Sequence, residues 1–411
     1  MSQLLIKNIK QLIQVRPVAP ILLKGAAMQE LPILENAWLH IIDDCIAGFG
    51  EMHTCPQLNI ETLDATGKLV FPAWCDSHTH IVYAGSRESE FVDKIKGLTY
   101  EEIAQKGGGI LNSAKRLQET SEDELYLQAK RRADEIISYG TGAVEIKSGY
   151  GLTLKDELKM LRVIKRLQAE TPLTIKATFL GAHAIPQEYK NNRAAYIQLI
   201  VNEMLPQVAA QNLADFCDVF CDRGFFTVQE TDEILTKAAS LGIRAKIHAN
   251  ELDYSGGIQV GVKHNALSVD HLEYTGDEEI EVLRNSSTMP TLLPSTAFFL
   301  RIKNPPARQM MQAGLPLALA TDYNPGSSPS GSMQFVLSLA CINLRMTPEE
   351  AINAATINSA YAMGIAETHG SITIGKKANL FITQAISGYA FLPYSFGTNL
   401  TETTILNGKI I

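Results

Sequence analysis

Residues 69–80 read LVFPAWCDSHTH, an apolar run at 69–74 that passes straight into the polar segment DSHTH at 76–80. A short continuous apolar stretch bounded by polar residues is the pattern of a strand buried on both faces, as in a parallel sheet. Working outward, the same texture recurs at 143–147, 175–180, 216–220, 243–248, 267–270, 288–293 and 317–321. Helix-like stretches lie between these runs, at 122–138 with Ser121 as N-cap, 154–168, 189–208, 228–240 and 277–284. Strands alternating with helices mean parallel strands joined by crossovers, and eight such units predict an α/β fold closed as a (β/α)8 TIM-like barrel. An open doubly wound sheet is disfavoured because no GxGxxG follows the first strand.

The flanks read differently. Residues 1–67 carry short β-type runs, such as 21–23 and 38–42, separated by turn residues. After a last helix at 348–356, GSITIGKKANLFI and TTILNGKII return to strand texture. The expected organisation is a barrel over 68–367 beside a small β-sandwich domain built from both chain ends, 1–67 and 368–411.

Composition excludes several classes. Of 411 residues, 45% are hydrophobic and 19% charged, which is ordinary globular usage and argues against disorder. Thirty-six basic against 44 acidic residues give a net charge of −8, with no block of like charge to hold nucleic acid or an anionic membrane. The six cysteines form no CxxC pair, which excludes a zinc ribbon and suits a reducing compartment. Lysines interrupt every apolar run of MSQLLIKNIKQLIQVRP, and no run is long enough to span a bilayer, so a cytoplasmic protein is expected.

The chemistry gathers at strand ends. Alternate residues of an extended segment share a side, so His78 and His80 can offer two imidazoles to one ion. Barrel active sites collect where strands terminate, and His248, His271 and Asp322 fall there with Glu251 close by. His78, His80, His248 and Asp322 form a plausible ligand set for one divalent ion, zinc or iron. Glu251 is placed to move a proton, or is simply a first-turn helix glutamate. His271 is placed to stabilise charge on a carbonyl oxygen, or is a buried structural histidine. Arg87 suits a carboxylate but also reads as a surface arginine, while Tyr150 and His183 bring hydrogen-bonding groups to the same rim. Asn324, Gly326 and Ser327 form a turn whose backbone amides suit an anionic or carbonyl group, unless it is only a βα turn. Lys147 lies on the second strand, which does not suit a lysine bridging two metals, and GGG at 107–109 reads as a bent active-site loop.

The segments DSHTHIVYAGSRESEF, TGAVEIKSGYGL, TFLGAHAIP, KIHANEL, SVDHLEY, TLLPSTAFFLR and ALATDYNPGSSP together resemble the amidohydrolase superfamily over nearly the whole chain. That resemblance implies hydrolysis of the cyclic amide C–N bond of a small molecule, 4-imidazolone-5-propanoate, to N-formimidoyl-L-glutamate. It implies one zinc or iron on His78, His80, His248 and Asp322, with Glu251, His271 and Asp322 catalytic. Substrate contacts carried over by the same match are Arg87, Tyr150, His183, Glu251, Asn324, Gly326 and Ser327. A homodimer is expected, with no nucleic-acid or membrane partner. Two departures stand out, Asn250 and Asn379 at positions where acidic residues are usual. The alternatives are another mononuclear member, such as a deaminase of a cyclic amidine or purine, and a non-catalytic scaffold, which would usually have lost metal ligands.

Overall fold

The computed structural model describes residues 2–98 and 108–411. Five strands open the chain: β1 (Gln3–Ile13), β2 (Ile33–Ile42), β3 (Cys45–Glu51), β4 (Glu61–Asp64) and β5 (Leu69–Pro72). Eight follow in a second sheet: β6 (Trp74–Thr79), β7 (Thr141–Lys147), β8 (Thr174–Ala182), β9 (Phe216–Cys221), β10 (Arg244–Ala249), β11 (Ser268–His271), β12 (Met289–Leu292) and β13 (Ala318–Leu319). The last three are β14 (Leu380–Thr383), β15 (Thr401–Leu406) and β16 (Lys409–Ile410).

The second sheet keeps chain order from β6 to β13, every pair parallel, with helices in the connections. Its ends meet through backbone bonds from Asp322 N–H to His78 O (3.0 Å) and from His80 N–H to Tyr323 O (2.9 Å). The expected barrel is therefore present, and these bonds join its first strand to the segment after its eighth.

The other sheet runs β16-β15-β14-β5-β1-β2-β3, with β4 also paired to β1, so it draws on both ends of the chain in one continuous ladder. Alternation along its strands serves two cores. Val70, Leu380, Ile382 and Ile405 face a core belonging to this sheet, whereas Leu69, Phe71, Phe381 and Leu406 join the main core of the barrel. The junction is aromatic: Phe71 and Phe381 stack with centroids 4.9 Å apart, and Trp74 lies 4.8 Å from Phe381.

The β-type run expected at 21–23 forms no strand, and two further expected elements are rearranged. The apolar run 69–74 divides between sheets, because Ala73 N–H donates to Asn379 O in the small sheet and Trp74 N–H donates to Gly140 O beside the barrel. The helix expected over 189–208 starts later, at Arg193, where Asn192 caps the segment Arg193–Leu199. It widens over Ile200–Met204 before resuming as Leu205–Ala210, since Pro206 has no N–H and its ring displaces the carbonyl four residues back. The helix Glu122–Ser138 carries the expected cap, with Ser121 Oγ accepting from Glu124 N–H. Of GGG at 107–109, Gly107 lies outside the described residues, while Gly109 (φ 87°) leads into the helix Ile110–Glu119. Among the described residues no helix is long and apolar enough to cross a membrane.

Candidate active site

His78 sits in β6, where regular pairing with β7 shifts between Asp76 and Thr79, and His80 follows one residue past the strand. His248 lies in β10, His271 ends β11, and Asp322 follows β13. Barrel closure brings their donor atoms together. His78 Nε2 lies 3.1 Å from His248 Nε2 and 3.3 Å from His80 Nε2, and His248 Nε2 lies 3.4 Å from His80 Nε2. Asp322 Oδ1 is 3.5 Å from His78 Nε2 and 3.4 Å from His80 Nε2.

These separations match the edge of a tetrahedron with metal–nitrogen bonds of about 2.0–2.1 Å, which is about 3.4 Å. The charge state matches too. His78 Nδ1 is 2.6 Å from Asp270 Oδ2 and His248 Nδ1 is 3.0 Å from Asp218 Oδ2. A carboxylate can only accept, so each Nδ1 is the donating nitrogen and each Nε2 is the atom left to face an ion. Burial, reinforced by Lys147 and neighbouring imidazoles, holds His78 and His80 well below the usual histidine range. Three imidazole nitrogens and a carboxylate oxygen gathered at these distances are the donor types and spacing that fit a divalent ion. His78, His80 and Asp322 could hold one, as could His78, His248 and His271.

Asp322 is aimed by its neighbours. Its Oδ2 accepts from Thr296 Oγ1 (2.6 Å) and Ser327 Oγ (3.3 Å), and its backbone carbonyl accepts from Asn324 Nδ2 (2.7 Å). Burial pushes its carboxyl up to about 6. Its φ of 53° and that of His271, 85°, lie in the left-handed region where non-glycine residues are strained, a feature common at functional sites.

A cavity of about 320 Å³ opens beside this cluster and is lined by Arg87, Tyr150, His183, Glu251, His271, Asn324, Gly326 and Ser327 together with His80, His248 and Asp322. Every residue expected at the site is therefore gathered, with His78 buried beneath the cavity wall. Glu251 is held by Asp222, whose Oδ2 accepts from Glu251 N–H and Leu252 N–H. Burial, then the charges of Asp322 and Asp222, push the Glu251 carboxyl up to about 8. His183 Nδ1 donates to Gly149 O (3.0 Å), and its ring stacks 5.3 Å from that of His80.

Two details differ from expectation. The Gly326 and Ser327 amides do not point free into the cavity, because both donate to Asn324 Oδ1 at 2.8 Å. Arg87 directs Nε and Nη2 to Glu90 Oε2 (2.8 and 2.6 Å), which leaves Nη1 as its remaining edge. Gly326 covers that edge so closely that a Cβ there would lie 2.2 Å from Nη1. The two departures in the sequence have local reasons. Asn250 adopts a left-handed φ of 56° and donates to Tyr274 O, and Asn379 sets its Nδ2, a group aspartate lacks, 3.3 Å from His369 Nε2.

Several residues escaped the sequence reading. Lys94 lines the cavity and donates to Gly326 O (3.3 Å), while Phe220 and Phe225, stacked with centroids 3.9 Å apart, supply an apolar wall. Glu273 is fully buried, with no hydrogen-bond partner for either oxygen among the described residues, and faces His271 Nδ1 at 3.8 Å. Burial and the Glu251 charge hold it well above the carboxylate range. A signal existed for Asp218 and Asp270: each is a charged residue within an apolar barrel strand.

Three imidazoles and a carboxylate gathered together, beside acid groups in a cavity at the strand ends, define a metal-dependent hydrolase of the barrel type. Residues 69–411 match the model described as "Amidohydrolase family", and the chain belongs to that family. It is 60% identical over 408 residues to the imidazolonepropionase of Flavobacterium johnsoniae, covering 99% of each chain. It is 58% identical over 409 residues to that of Christiangramia forsetii, covering 99% of this chain and 100% of the relative. A crystallised triazine hydrolase variant shares the fold at a TM-score of 0.77 with 15% identity, over 99% of this chain and 94% of that one.

The seam beside the cluster yields a stability prediction. Asp76 accepts from Thr321 N–H (3.0 Å) and Thr321 Oγ1 (2.6 Å), immediately before Asp322. Asp76→Ala strands both buried donors and should cost about 1–3 kcal/mol in urea unfolding. An unchanged midpoint and slope would show that Asp76 does not hold the seam.

Proposed function

We propose that the chain hydrolyses 4-imidazolone-5-propanoate to N-formimidoyl-L-glutamate in histidine degradation, the reaction class its relatives are named for. The observation that carries this reading is the pairing, in one cavity, of an imidazole–carboxylate cluster with the cations Arg87 and Lys94. An imidazolone propionate has a ring carbonyl to be attacked and a carboxylate to be gripped, and the cavity has a counterpart for each.

His78, His80, His248 and Asp322 hold one zinc or iron ion in this reading. When bound, such an ion polarises a carbonyl and lowers the pKa of water to about 7. Glu251, kept protonatable near neutral pH by burial, takes the proton from the attacking water and passes it to the ring nitrogen as the C–N bond breaks. His271 stabilises the oxygen that becomes negative, and Asp322 anchors the cluster from the eighth strand. Lys94 Nζ and the Arg87 guanidinium, the latter held by Glu90, supply the positive charge for the propionate, while Tyr150 and His183 flank the ring and the Asn324–Ser327 turn closes over it. Water adds across one bond: the carbonyl carbon gains oxygen and becomes a carboxylate, and the nitrogen gains hydrogen.

The same reading includes a homodimer. Phe298, Ile342, Tyr394 and Phe396 are exposed, and the helices Pro294–Leu300 and Phe391–Tyr394 both pack on Met333–Ile342, which supports a shared apolar face.

Incubated with 4-imidazolone-5-propanoate, the protein should remove the ring's ultraviolet absorbance without releasing ammonia. Ammonia release would mark a deaminase instead. Asp322→Ala should lose both metal and turnover, and a full metal complement at normal rate would overturn the ligand assignment. Arg87→Ala should chiefly raise KM, because its contact persists from ground to transition state. An unchanged KM would remove Arg87 from the carboxylate site. Light scattering should give twice the mass of one chain, and a single-chain mass at micromolar concentration would rule out the dimer.

A further inference from the structure

We propose that Lys147 is a positioning residue that fixes two of the three metal-binding imidazoles at once, through two carboxylates. The inference rests on the ligand set proposed above. Lys147 belongs to β7 and is wholly buried. Its Nζ lies 2.6 Å from Glu145 Oε1, 2.8 Å from Asp218 Oδ2 and 3.6 Å from Asp270 Oδ2. Those last two oxygens are the ones that face the rings, Asp218 Oδ2 at 3.0 Å from His248 Nδ1 and Asp270 Oδ2 at 2.6 Å from His78 Nδ1. One ammonium thus spans both carboxylate–imidazole pairs. His80 has no such support, and its Nδ1 has no hydrogen-bond partner among the described residues.

The ammonium is itself braced. Glu145 Oε1 also accepts from Thr178 Oγ1 (2.7 Å), and its Oε2 pairs with Lys246, whose Nζ donates to Ser77 O (3.1 Å) next to His78. Glu145, Asp218 and Asp270 set three carboxylates against the two ammonium groups of Lys147 and Lys246. Without Lys147, Asp218 and Asp270 repel across a medium of low dielectric, and each is left with one anchor on its other oxygen, Asp218 Oδ1 accepting from His248 N–H (3.0 Å) and Asp270 Oδ1 from Ser268 Oγ (2.5 Å), while the oxygen that faces the ring loses its cation. The rings then lose the orientation that directs Nε2 at the cation. Outer partners of this kind typically change metal affinity by roughly 10- to 100-fold.

The test measures Zn2+ affinity by chelator competition and the absorption spectrum of the Co2+-loaded protein. Lys147→Met should weaken Zn2+ binding by roughly 10- to 100-fold and alter the Co2+ bands. Lys376→Met is the control, since that buried lysine donates to Ala366 O and His369 O and touches no proposed ligand. It should leave affinity and spectrum unchanged. Asp218→Asn and Asp270→Asn keep the side-chain shape and should each weaken Zn2+ binding. Combined with Lys147→Met, each should add less than its separate factor, because the effects share one route. Unchanged affinity and spectrum in Lys147→Met would overturn the inference. Should that variant fail to fold, unchanged affinity in both asparagine variants would overturn it equally. A wild-type protein that takes up no Zn2+ would sink the ligand assignment itself, an outcome distinct from either.

Discussion

A barrel of parallel strands has one joint that chain order does not supply, the meeting of its first and last strands. Here that joint is made by Asp322 N–H on His78 O and by His80 N–H on Tyr323 O, with Asp76 clamping Thr321 alongside. Backbone bonds between residues separated by most of the barrel therefore set the spacing of the donor atoms. If the joint slips, Asp322 leaves the three imidazoles, and the cavity loses the cluster that gives it chemistry. The strained backbone at His271 and Asp322 is tolerable because this frame over-determines it.

Beneath the joint the barrel holds ions where apolar side chains would be cheaper. Each buried charge carries a desolvation penalty of several kcal/mol, and replacing such a network by well-packed hydrophobes often stabilises a protein. Lys147, Lys246, Glu145, Asp218 and Asp270 are wholly buried nonetheless, and their partners lead upward to His78 and His248. Among the described residues, neither oxygen of Glu273 nor Nδ1 of His271 has a hydrogen-bond partner. Local rules of burial are broken where catalysis needs groups ready to change charge.

The barrel was legible because each buried strand is a brief apolar run with a polar end; DSHTH alone could be a chance pair of histidines in a polar loop, and its place directly after the first strand is what gave it weight. The site followed from the architecture: once strand ends converge, His248, His271 and Asp322 must approach His78 and His80. What could not be read was the use of each group. Nothing in SRESEF says that Glu90 takes two of the Arg87 nitrogens, and nothing in DYNPGSS says that Asn324 consumes the amides of Gly326 and Ser327. Such pairings are settled by short-range geometry among several equivalent partners. The split of 69–74 between two sheets was hidden for a similar reason, since both halves are equally apolar and only the partners of Ala73 and Trp74 distinguish them.

The small sheet makes its own demand on biosynthesis. Val70 pairs with Ile382 and Phe71 with Phe381, so these bonds wait until the ribosome has delivered every strand of the barrel and β14 after them. Until then β5 presents an open edge, and the Phe71 ring lacks the face it will stack upon. Contacts so distant along the chain are slow to form. The nascent protein must therefore keep an apolar strand out of trouble while the barrel is being made, and it secures that strand only once β14 has emerged.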